Sequence, residues 1–179
     1  MKTVKKFYIR PATANDSEII AQLSVICWQH AYKNIFDNAY LDSLQWQTRA
    51  AGRNKFYVEN TNAAGFIVEV DEHAVGFCDT GPARLVEKLP LITNNYGEIY
   101  ALYLLPEYQK QGIGAALCQT ACEYLISKGY AHCIIWTLVE NTQAIEFYKA
   151  IGCTQQYWYK DKIINDQAQK EIAFTLDLL

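Results

Sequence analysis

Two glycines, Gly112 and Gly114, follow a short apolar stretch that ends at Pro106, and an amphipathic stretch begins directly after them. This order predicts a strand, a glycine-containing loop and then a helix. The first turn of a helix has backbone N–H groups without intrahelical partners, and the helix dipole favours negative charge at that end. Glycines allow the backbone to come close to an anion. These residues are therefore suited to binding a phosphate group.

The spacing of the glycines separates three kinds of phosphate site. A P-loop needs Lys and then Ser or Thr directly after its last glycine, but Ala115 and Ala116 follow Gly114. A dinucleotide-binding loop needs a third glycine three residues further on, and that position is a leucine. What remains is the pattern Q-x-x-G-x-G, which begins at Gln109. A plain tight turn that caps a helix would show the same glycines, so the neighbouring segments decide.

Three other segments of the chain extend the pattern. The predicted strand before the loop reads E-I-Y-A-L-Y-L-L-P over residues 98–106. A downstream segment reads N-x-x-A-x-x-F-Y-x-x-x-G from Asn141 to Gly152, and residues 9–16 read I-R-P-A-T-A-N-D. In this order, the four segments resemble the GNAT superfamily, the acetyl-CoA-dependent N-acetyltransferases. The resemblance covers most of the chain and does not identify the substrate.

The resemblance implies a fold and a cofactor site. The expected fold is α/β, with a mixed, largely antiparallel sheet and helices on both faces, in a single N-acetyltransferase domain over residues 1–179. The expected co-substrate is acetyl-CoA, without a metal. In the family, a bulge in the strand before the loop leaves backbone groups free for the acetyl and pantetheine parts. The implied cofactor-binding residues are Leu102, Tyr103, Leu104, Gln109, Lys110, Gln111, Gly112, Ile113, Gly114, Ala115, Asn141 and Tyr148.

Glu98 is the candidate catalytic base. A base is needed because an alkyl ammonium with a pKa of ~10.4 is mostly protonated at neutral pH. Members of the family often have an acidic residue at this place, and it acts directly or through water. Period-2 alternation predicts one shared strand face for four residues: Glu98, Tyr100, Leu102 and Leu104. The alternative is that Glu98 binds the substrate ammonium, or pairs with a neighbour, without moving a proton.

Tyr148 is the candidate catalytic acid, because it matches the tyrosine that the family places beside the CoA sulfur. A phenol could protonate the leaving thiolate or only donate a hydrogen bond to it. The alternative is a core aromatic beside Phe147. Asn141 resembles the cofactor-side asparagine of the family, which bonds to the pantetheine backbone.

The acceptor side carries fewer signals. In the family, the region between the first two helices borders the acceptor site, and here that region is aromatic. The predicted substrate-binding residues are Trp28, Tyr32 and Tyr100. Aromatic rings can enclose a cation, or they can belong to the core. We expect His30 to be structural, and Asp79 and Glu69 are possible partners for a substrate ammonium.

Composition limits the partners and the compartment. The chain has 179 residues, of which 51% are hydrophobic, which is typical of one domain with a sizeable core. The basic N-terminus lacks the apolar segment of a secretory signal, and no apolar run reaches the roughly 20 residues of a membrane helix. A net charge of −3 argues against nucleic acid as a partner. We therefore expect a cytoplasmic protein with a small-molecule or peptide amine acceptor and no nucleic-acid or membrane partner. A homodimer is possible because family members often dimerise.

The six cysteines are expected to be buried, reduced thiols. Each lies within an apolar pattern, where a free cysteine behaves as a small hydrophobic residue. Cys118 and Cys122 are four residues apart on one predicted helix face, but no second Cys or His pair with zinc-ligand spacing accompanies them. This usage indicates a reducing compartment.

Periodicity predicts the elements that position these residues. The predicted strands cover residues 5–10, 65–70, 74–80, 98–104, 132–139, 157–159 and 172–178. The first predicted helix begins at Asn15 or Asp16, with Ile19, Leu23 and Ile26 as its buried stripe. Residues 28–36 are predicted to be irregular and 81–97 to be a long loop. Further helices are predicted at 39–51, 114–128 and 143–151.

Two functions of different classes follow from the resemblance. The first is acetyl transfer from acetyl-CoA to a primary amine by direct attack in a ternary complex. The second is a catalytically weak acetyl-CoA sensor or partner-binding module. Because Glu98 and Tyr148 are both present, the enzyme is favoured. A further option is transfer of a longer acyl group, or transfer to a hydroxyl.

Overall fold

Seven strands form one mixed sheet in the computed structural model, which describes residues 6–60, 62–84, 86 and 95–179. The strands are β1 (Phe7–Pro11), β2 (Ala64–Val70), β3 (His73–Pro82), β4 (Tyr96–Leu104), β5 (His132–Leu138), β6 (Thr154–Ile164) and β7 (Gln167–Asp177). Their order in the sheet is β1-β2-β3-β4-β5-β7-β6. Neighbouring strands are antiparallel except β4 and β5, which are parallel.

Helices cover both faces of this sheet. They are α1 (Ser17–Ala31), α2 (Asn38–Asp42), α3 (Trp46–Glu59), α4 (Ile113–Ser127) and α5 (Thr142–Ala150), with short 3₁₀ turns at Ala14–Asp16 and Pro106–Tyr108. Leu117 and Leu125 of α4 pack with Val68 and Ile135 on one face. On the other face, α1 packs against β2 and β3. The predicted α/β class, with a largely antiparallel sheet and helices on both faces, is confirmed.

The first helix differs from the prediction in length and in rotation. It continues to Ala31, so the stretch predicted to be irregular begins as helix. Its buried side contains Ile20, Leu23 and Cys27, whereas Ile19 and Ile26 are 37% and 47% exposed. Both stripes satisfy helical spacing. Packing against the sheet selects the stripe that includes the polar Ser24, which hydrophobicity alone does not indicate.

The single helix predicted at 39–51 is wrong, because two helices occupy this region and residues 43–45 separate them. Ser43 ends α2, where its Oγ donates to the Tyr40 carbonyl oxygen at 2.7 Å. Gln45 is extended before α3 begins. The inner side of α3 is polar: Arg49 donates to the Ser24 hydroxyl at 2.7 Å, and Arg53 pairs with Asp79. Such a face gives little apolar periodicity, so the sequence pattern missed the length of α3.

The predicted closing strands are too short. Strands β6 and β7 each have 11 residues and form a hairpin. Asn165 and Asp166 connect them with φ values of 50° and 57°, the backbone of a two-residue hairpin turn that Asn and Asp tolerate. The hairpin is rich in polar residues, which hid it from a search for apolar strands. The predicted loop at 81–97 is shortened at both ends by β3 and β4, and residues 85 and 87–94 lie outside the described residues, as does Lys5 of the first predicted strand.

Strands β4 and β5 separate along their length. Residues 96–99 of β4 pair with 132–135 of β5, and the pairing ends at Ile99 and Ile135. Both strands continue beyond this point, to Leu104 and Leu138. The backbone of β4 after Ile99 therefore has no β5 ladder beside it, and the sheet opens there.

Candidate active site

A cavity of about 440 Å³ lies at this opening, between the end of β4, the start of α4 and the length of α5. We call it the groove. Ten of the twelve predicted cofactor-binding residues line it: Leu102, Tyr103, Leu104, Gln109, Lys110, Gly112, Gly114, Ala115, Asn141 and Tyr148. The other two do not belong to its described lining. Ile113 is fully buried in the core under α4, and the Gln111 side chain donates to the Glu107 carbonyl oxygen at 2.8 Å.

The loop before α4 has the backbone that an anion site requires. Gly112 is the N-cap of α4 with φ +83°, and Lys110 also has a positive φ of 58°. The backbone N–H of Ala116 donates to the Gly112 carbonyl oxygen at 3.1 Å, which is the first bond of the helix. The three N–H groups between these residues belong to the unpaired first turn. Lys110 adds a cation at the same end of the groove.

Side chains hold the walls of the groove together. Gln109 donates from Nε2 to the Leu104 carbonyl oxygen at 3.0 Å, and Gln143 donates to Gln109 Oε1 at 2.5 Å. These two bonds join the end of β4 to the first turn of α5. At Gly114, a Cβ would lie 3.3 Å from the Phe147 ring, so glycine allows α4 and α5 to approach closely. The spacing within Q-x-x-G-x-G thus has a packing role as well as a backbone role.

A β-bulge changes which residues of β4 share a face. Asp79 of β3 pairs with Ala101 and Thr80 pairs with Ile99, so Tyr100 has no partner in this ladder. After the bulge, Leu102 and Leu104 pack against the core under α4. The predicted shared face for Glu98, Tyr100, Leu102 and Leu104 is therefore wrong. An extra residue in one strand shifts the alternation of every side chain that follows it.

A second, smaller cavity of about 60 Å³ lies behind the groove, and we call it the inner cavity. Its lining includes Tyr32, Tyr100 and Trp136 from the opposite face of the sheet. The two cavities share five lining residues: Leu102, Tyr103, Asn141, Ala144 and Tyr148. The groove and the inner cavity therefore meet through the opening between β4 and β5.

Tyr148 stands at this junction and is only 7% exposed. Its ring packs 5.4 Å from the Phe147 ring and 5.5 Å from the Phe174 ring, measured between centroids. It is thus a core aromatic that also lines both cavities. Burial raises the pKa of the Tyr148 phenol well above its ordinary value, because a phenolate would be poorly solvated there. The phenol stays protonated and can donate a hydrogen bond.

Asn141 is also at the junction, and it has a structural partner. Its Oδ1 accepts a hydrogen bond from the Ala144 N–H at 3.1 Å, so it caps the N-terminus of α5. The Asn141 side chain also acts to lower the pKa of the Tyr32 phenol, against a larger rise caused by burial. The predicted contact with pantetheine stays a prediction.

Glu98 is fully buried and is not among the described lining residues of either cavity. Its carboxylate accepts hydrogen bonds from the Arg84 backbone N–H at 2.8 Å and from the Arg84 Nε at 3.0 Å, and it forms an ion pair with the same guanidinium. Arg84 also lies 4.9 Å over the Tyr100 ring. Glu98 thus pairs with a neighbouring residue, Arg84, as the alternative interpretation predicted. Its role as base stays a prediction.

The predicted acceptor residues divide into two groups. Tyr32 and Tyr100 line the inner cavity. Trp28 is not among the described residues that line either cavity. Its ring packs against that of Tyr32, with centroids 4.8 Å apart, and the Arg49 guanidinium lies over it. The two candidate ammonium partners already have protein cations: Asp79 pairs with Arg53, and Glu69 accepts from Arg10 at 2.9 Å. His30 lines the groove rather than the acceptor side.

Four residues beside the inner cavity were not identified from the sequence. Arg84 follows β3, and Trp136, Lys160 and Glu171 come from β5, β6 and β7. Lys160 Nζ lies 4.2 Å over the Trp136 ring and 3.3 Å from Glu171 Oε2. No local motif marks them, because they come from segments that are far apart in the chain and only the folded sheet brings them together.

The remaining sequence expectations concern thiols, metals and membranes. All six cysteines are free, and five are buried, with Cys122 half-buried. In the described ranges, no group of three or more His, Cys, Asp or Glu is arranged to hold a metal ion. None of the helices in that part of the chain is long and apolar enough to cross a membrane.

Comparisons with known proteins agree with this fold. The uncharacterised N-acetyltransferase YuaI of Bacillus subtilis is 32% identical over 144 residues, which cover 79% of this chain and 77% of the relative. The spermidine N(1)-acetyltransferase of Thermoplasma acidophilum is 26% identical over 145 residues, covering 80% and 86% of the two chains. The crystal structure of the PaiA N-acetyltransferase from Thermoplasma acidophilum, in complex with coenzyme A, has the same fold, with a TM-score of 0.72 at 20% identity over 96% of this chain and 99% of that one.

The fold and the groove define an acetyl-CoA-dependent N-acetyltransferase. Residues 25–153 match the family "Acetyltransferase (GNAT) family", and the chain belongs to it. The predicted resemblance, the enzyme class and acetyl-CoA as co-substrate are thus confirmed.

Proposed function

We propose that this enzyme transfers the acetyl group of acetyl-CoA to a primary amine of a small molecule or peptide, by direct attack in a ternary complex. The observation that supports this is the meeting of the two cavities at Tyr148, Asn141 and the β4 backbone. The groove has the helix N-terminus and the cation for a pyrophosphate-bearing cofactor. The inner cavity gives a second substrate access to the same point from the other face of the sheet.

The residues at the junction would divide the chemistry among them. The β4 backbone beyond the bulge would donate an N–H to the thioester carbonyl oxygen and stabilise the charge that develops there. The amine nitrogen then forms a bond to the carbonyl carbon, the carbon–sulfur bond breaks, and the electron pair leaves with the sulfur. The proton of the amine passes to Glu98 or to water. Glu98 would act through water, since its carboxylate is held by Arg84 outside the lining of both cavities.

Tyr148 would stabilise the leaving thiolate chiefly as a hydrogen-bond donor. An ordinary thiol has a pKa of about 8.5, well below that of a phenol. Burial raises the pKa of Tyr148 further, so complete proton transfer from the phenol to the thiolate is unfavourable. A charge-assisted hydrogen bond to the thiolate requires no such transfer and strengthens as negative charge develops on sulfur.

Direct attack is preferred over an acetyl-cysteine intermediate. Among the described residues that line the groove, the one thiol is that of Cys27. Burial raises the pKa of the Cys27 thiol to about 12, with Glu107 adding to the effect. A nucleophilic cysteine needs the thiolate form, which this environment disfavours.

The acceptor class rests on the relatives as well as on the site. The relative named spermidine N(1)-acetyltransferase aligns over 80% of this chain, which supports a small-molecule amine as the acceptor. Initial rates of thiol release from acetyl-CoA, measured against a panel of amines and peptides, would test the proposal. Intersecting double-reciprocal plots and a Cys27→Ser variant with unchanged turnover are expected. Parallel plots together with an inactive Cys27→Ser variant would contradict direct attack, and acetyl-CoA binding without any amine turnover would favour the alternative of a sensor module.

A further inference from the structure

A polar cluster lies on the face of the sheet that carries the inner cavity. It is built from Arg84, Glu98, Trp136, Lys160, Lys162 and Glu171. Sheet register brings its members together: Lys160 is opposite Glu171 in the β6–β7 ladder, and Trp136 is opposite Ala173 one pair further along that face. Trp136 also lines the inner cavity. The cluster is therefore continuous with the space that the acceptor would use.

Both carboxylates of the polar cluster already have protein cations. Glu171 is 7% exposed and lies 3.3 Å from Lys160 Nζ and 3.4 Å from Lys162 Nζ. Glu98 is fully buried against Arg84. Three cations thus face two carboxylates, which leaves one positive charge uncompensated among the members of the cluster. A polycationic acceptor would have to compete with these ion pairs and would add to the excess charge.

The Trp136 side chain supplies a second, independent observation. Its Nε1 atom is buried and has no hydrogen-bond partner among the described residues. An indole N–H can only donate. Buried donors in folded proteins almost always have a partner, so an acceptor atom is expected here when the site is occupied. The Lys160 ammonium, 4.2 Å over the same ring, favours an acceptor that carries negative charge.

We propose that the acceptor is an amine that also carries a carboxylate, and that Trp136 and Lys160 bind this carboxylate while the amine reaches the junction at Tyr148. The inference rests on the proposed function, and it names the substrate class for that site. An anionic oxygen would satisfy the Trp136 N–H and compensate the excess positive charge. Charge-assisted hydrogen bonds of this kind are stronger than those to a neutral carbonyl group, so the acid is preferred over its amide.

The state of Lys160 is consistent with this assignment. Burial lowers the pKa of the Lys160 ammonium, although the nearby carboxylates of Glu171 and Glu98 act in the opposite direction. A bound carboxylate would favour the charged form of Lys160. The side chain is 19% exposed, so it can meet a ligand without moving through the core.

Amine pairs that differ only in charge test the proposal. We would measure thiol release with α-amino and ω-amino acids, each compared with its own carboxamide, and with spermidine. For at least one pair, the acid is expected to have a kcat/KM at least tenfold above that of its amide, about the value of one hydrogen bond to a charged group. Lys160→Met and Trp136→Phe should each raise KM for that acid about tenfold and KM for the amide by less, leaving KM for acetyl-CoA unchanged. Lys170→Met is the matched control, because Lys170 is an exposed neighbour of Glu171 over the Tyr159 ring.

The outcomes separate this inference from the proposed function. If amines are acetylated but no acid exceeds its carboxamide, or spermidine exceeds every acid, the carboxylate site is overturned and the transferase remains. If the acid preference survives in both Lys160→Met and Trp136→Phe, the assignment to these residues is overturned. If acetyl-CoA binds but no amine in the panel reacts, the proposed function fails, and this inference fails with it. Calorimetric titration of the preferred acid into the CoA complex measures its dissociation constant, a readout that does not depend on turnover.

Discussion

Arg84 and Glu98 form an ion pair in which one arginine occupies both oxygens of a buried carboxylate. The Arg84 backbone N–H donates to Glu98 Oε2 at 2.8 Å, and its guanidinium donates to Oε1. Glu98 is fully buried, whereas the Arg84 side chain is 59% exposed. The residue predicted to be the base is therefore held by a cation that solvent can reach. The ion pair makes the role of Glu98 separable by experiment, since removal of either partner has different consequences for catalysis and for stability.

If Glu98 accepts the proton of the amine, Glu98→Gln lowers kcat/KM by ~10²-fold and alters the acidic limb of the pH–rate profile. Arg84→Met keeps the carboxylate and should retain most of the rate. Asp79→Asn is the control, because Asp79 is another buried carboxylate paired with an arginine and does not belong to the described lining of the cavities. If Glu98→Gln loses stability but keeps a near-native rate, as Asp79→Asn is expected to do, Glu98 is not the base.

Tyr148→Phe deletes a hydroxyl and keeps the ring that packs between Phe147 and Phe174. We expect kcat to fall by ~10²-fold with little change in the dissociation constant of acetyl-CoA, because the bond to the thiolate matters mainly in the transition state. Tyr124→Phe, on the α4 surface against Phe66, is the matched control. Weaker acetyl-CoA binding with native turnover at saturation would instead assign Tyr148 to cofactor binding alone.

Gly112→Asp should weaken acetyl-CoA binding steeply, because it puts a carboxylate at the N-cap of α4, where the pyrophosphate is expected. A Cβ at Gly112 has no atom within 4 Å, so the cost to the fold is confined to the positive φ. Gly112→Asn imposes the same backbone demand without the charge and should bind more tightly than Gly112→Asp. Gly129→Asp, at the opposite end of α4 with φ +85°, should bind acetyl-CoA normally. Calorimetry on the folded variants measures all three, and equal affinities would place the pyrophosphate elsewhere.

The Asp16 carboxylate links folding to pH at the start of the chain. Hydrogen bonds from the Arg10 guanidinium, at 2.8 and 3.0 Å, outweigh burial and lower the pKa of Asp16 from 3.8 to about 2. Because the folded-state pKa is the lower one, this contribution is present at neutral pH and is lost as the pH falls from about 4 towards 2. Asp16→Asn should reduce the free energy of unfolding by about 2 kcal/mol at neutral pH and by progressively less in acid.

Chemical denaturation across this pH range would measure the difference between wild type and Asp16→Asn. Asp177→Asn is the control, since Asp177 is 83% exposed in its pair with His132 and such pairs contribute little. A stability difference for Asp16→Asn that stays constant down to pH 2 would contradict the linkage and would assign the effect to its hydrogen bonds with Thr13.

Much of the groove could be predicted from the sequence because its chemistry is local. The glycines of the loop, the helix that begins after Gly112 and the cap at Asn141 depend on backbone angles and on spacing over a few residues. Ile113 shows the limit of such a pattern. It lies inside the motif and was predicted to bind the cofactor, but the helix that begins there turns its side chain into the core. Polar elements such as α3 and the β6–β7 hairpin were predicted poorly, since they lack apolar periodicity.

The sequence by itself determined the family, the cofactor loop and the order of most elements, because each depends on residues that are neighbours along the chain. The tertiary structure decided how the two faces of the sheet are used. The bulge at Tyr100 puts Glu98 on a different face of the sheet from Leu102 and Leu104. The pairing of distant strands brings Trp136, Lys160 and Glu171 together. Strand register is set by packing and by hydrogen bonds between segments far apart in the chain, so the residues that meet on a sheet face leave no local signature.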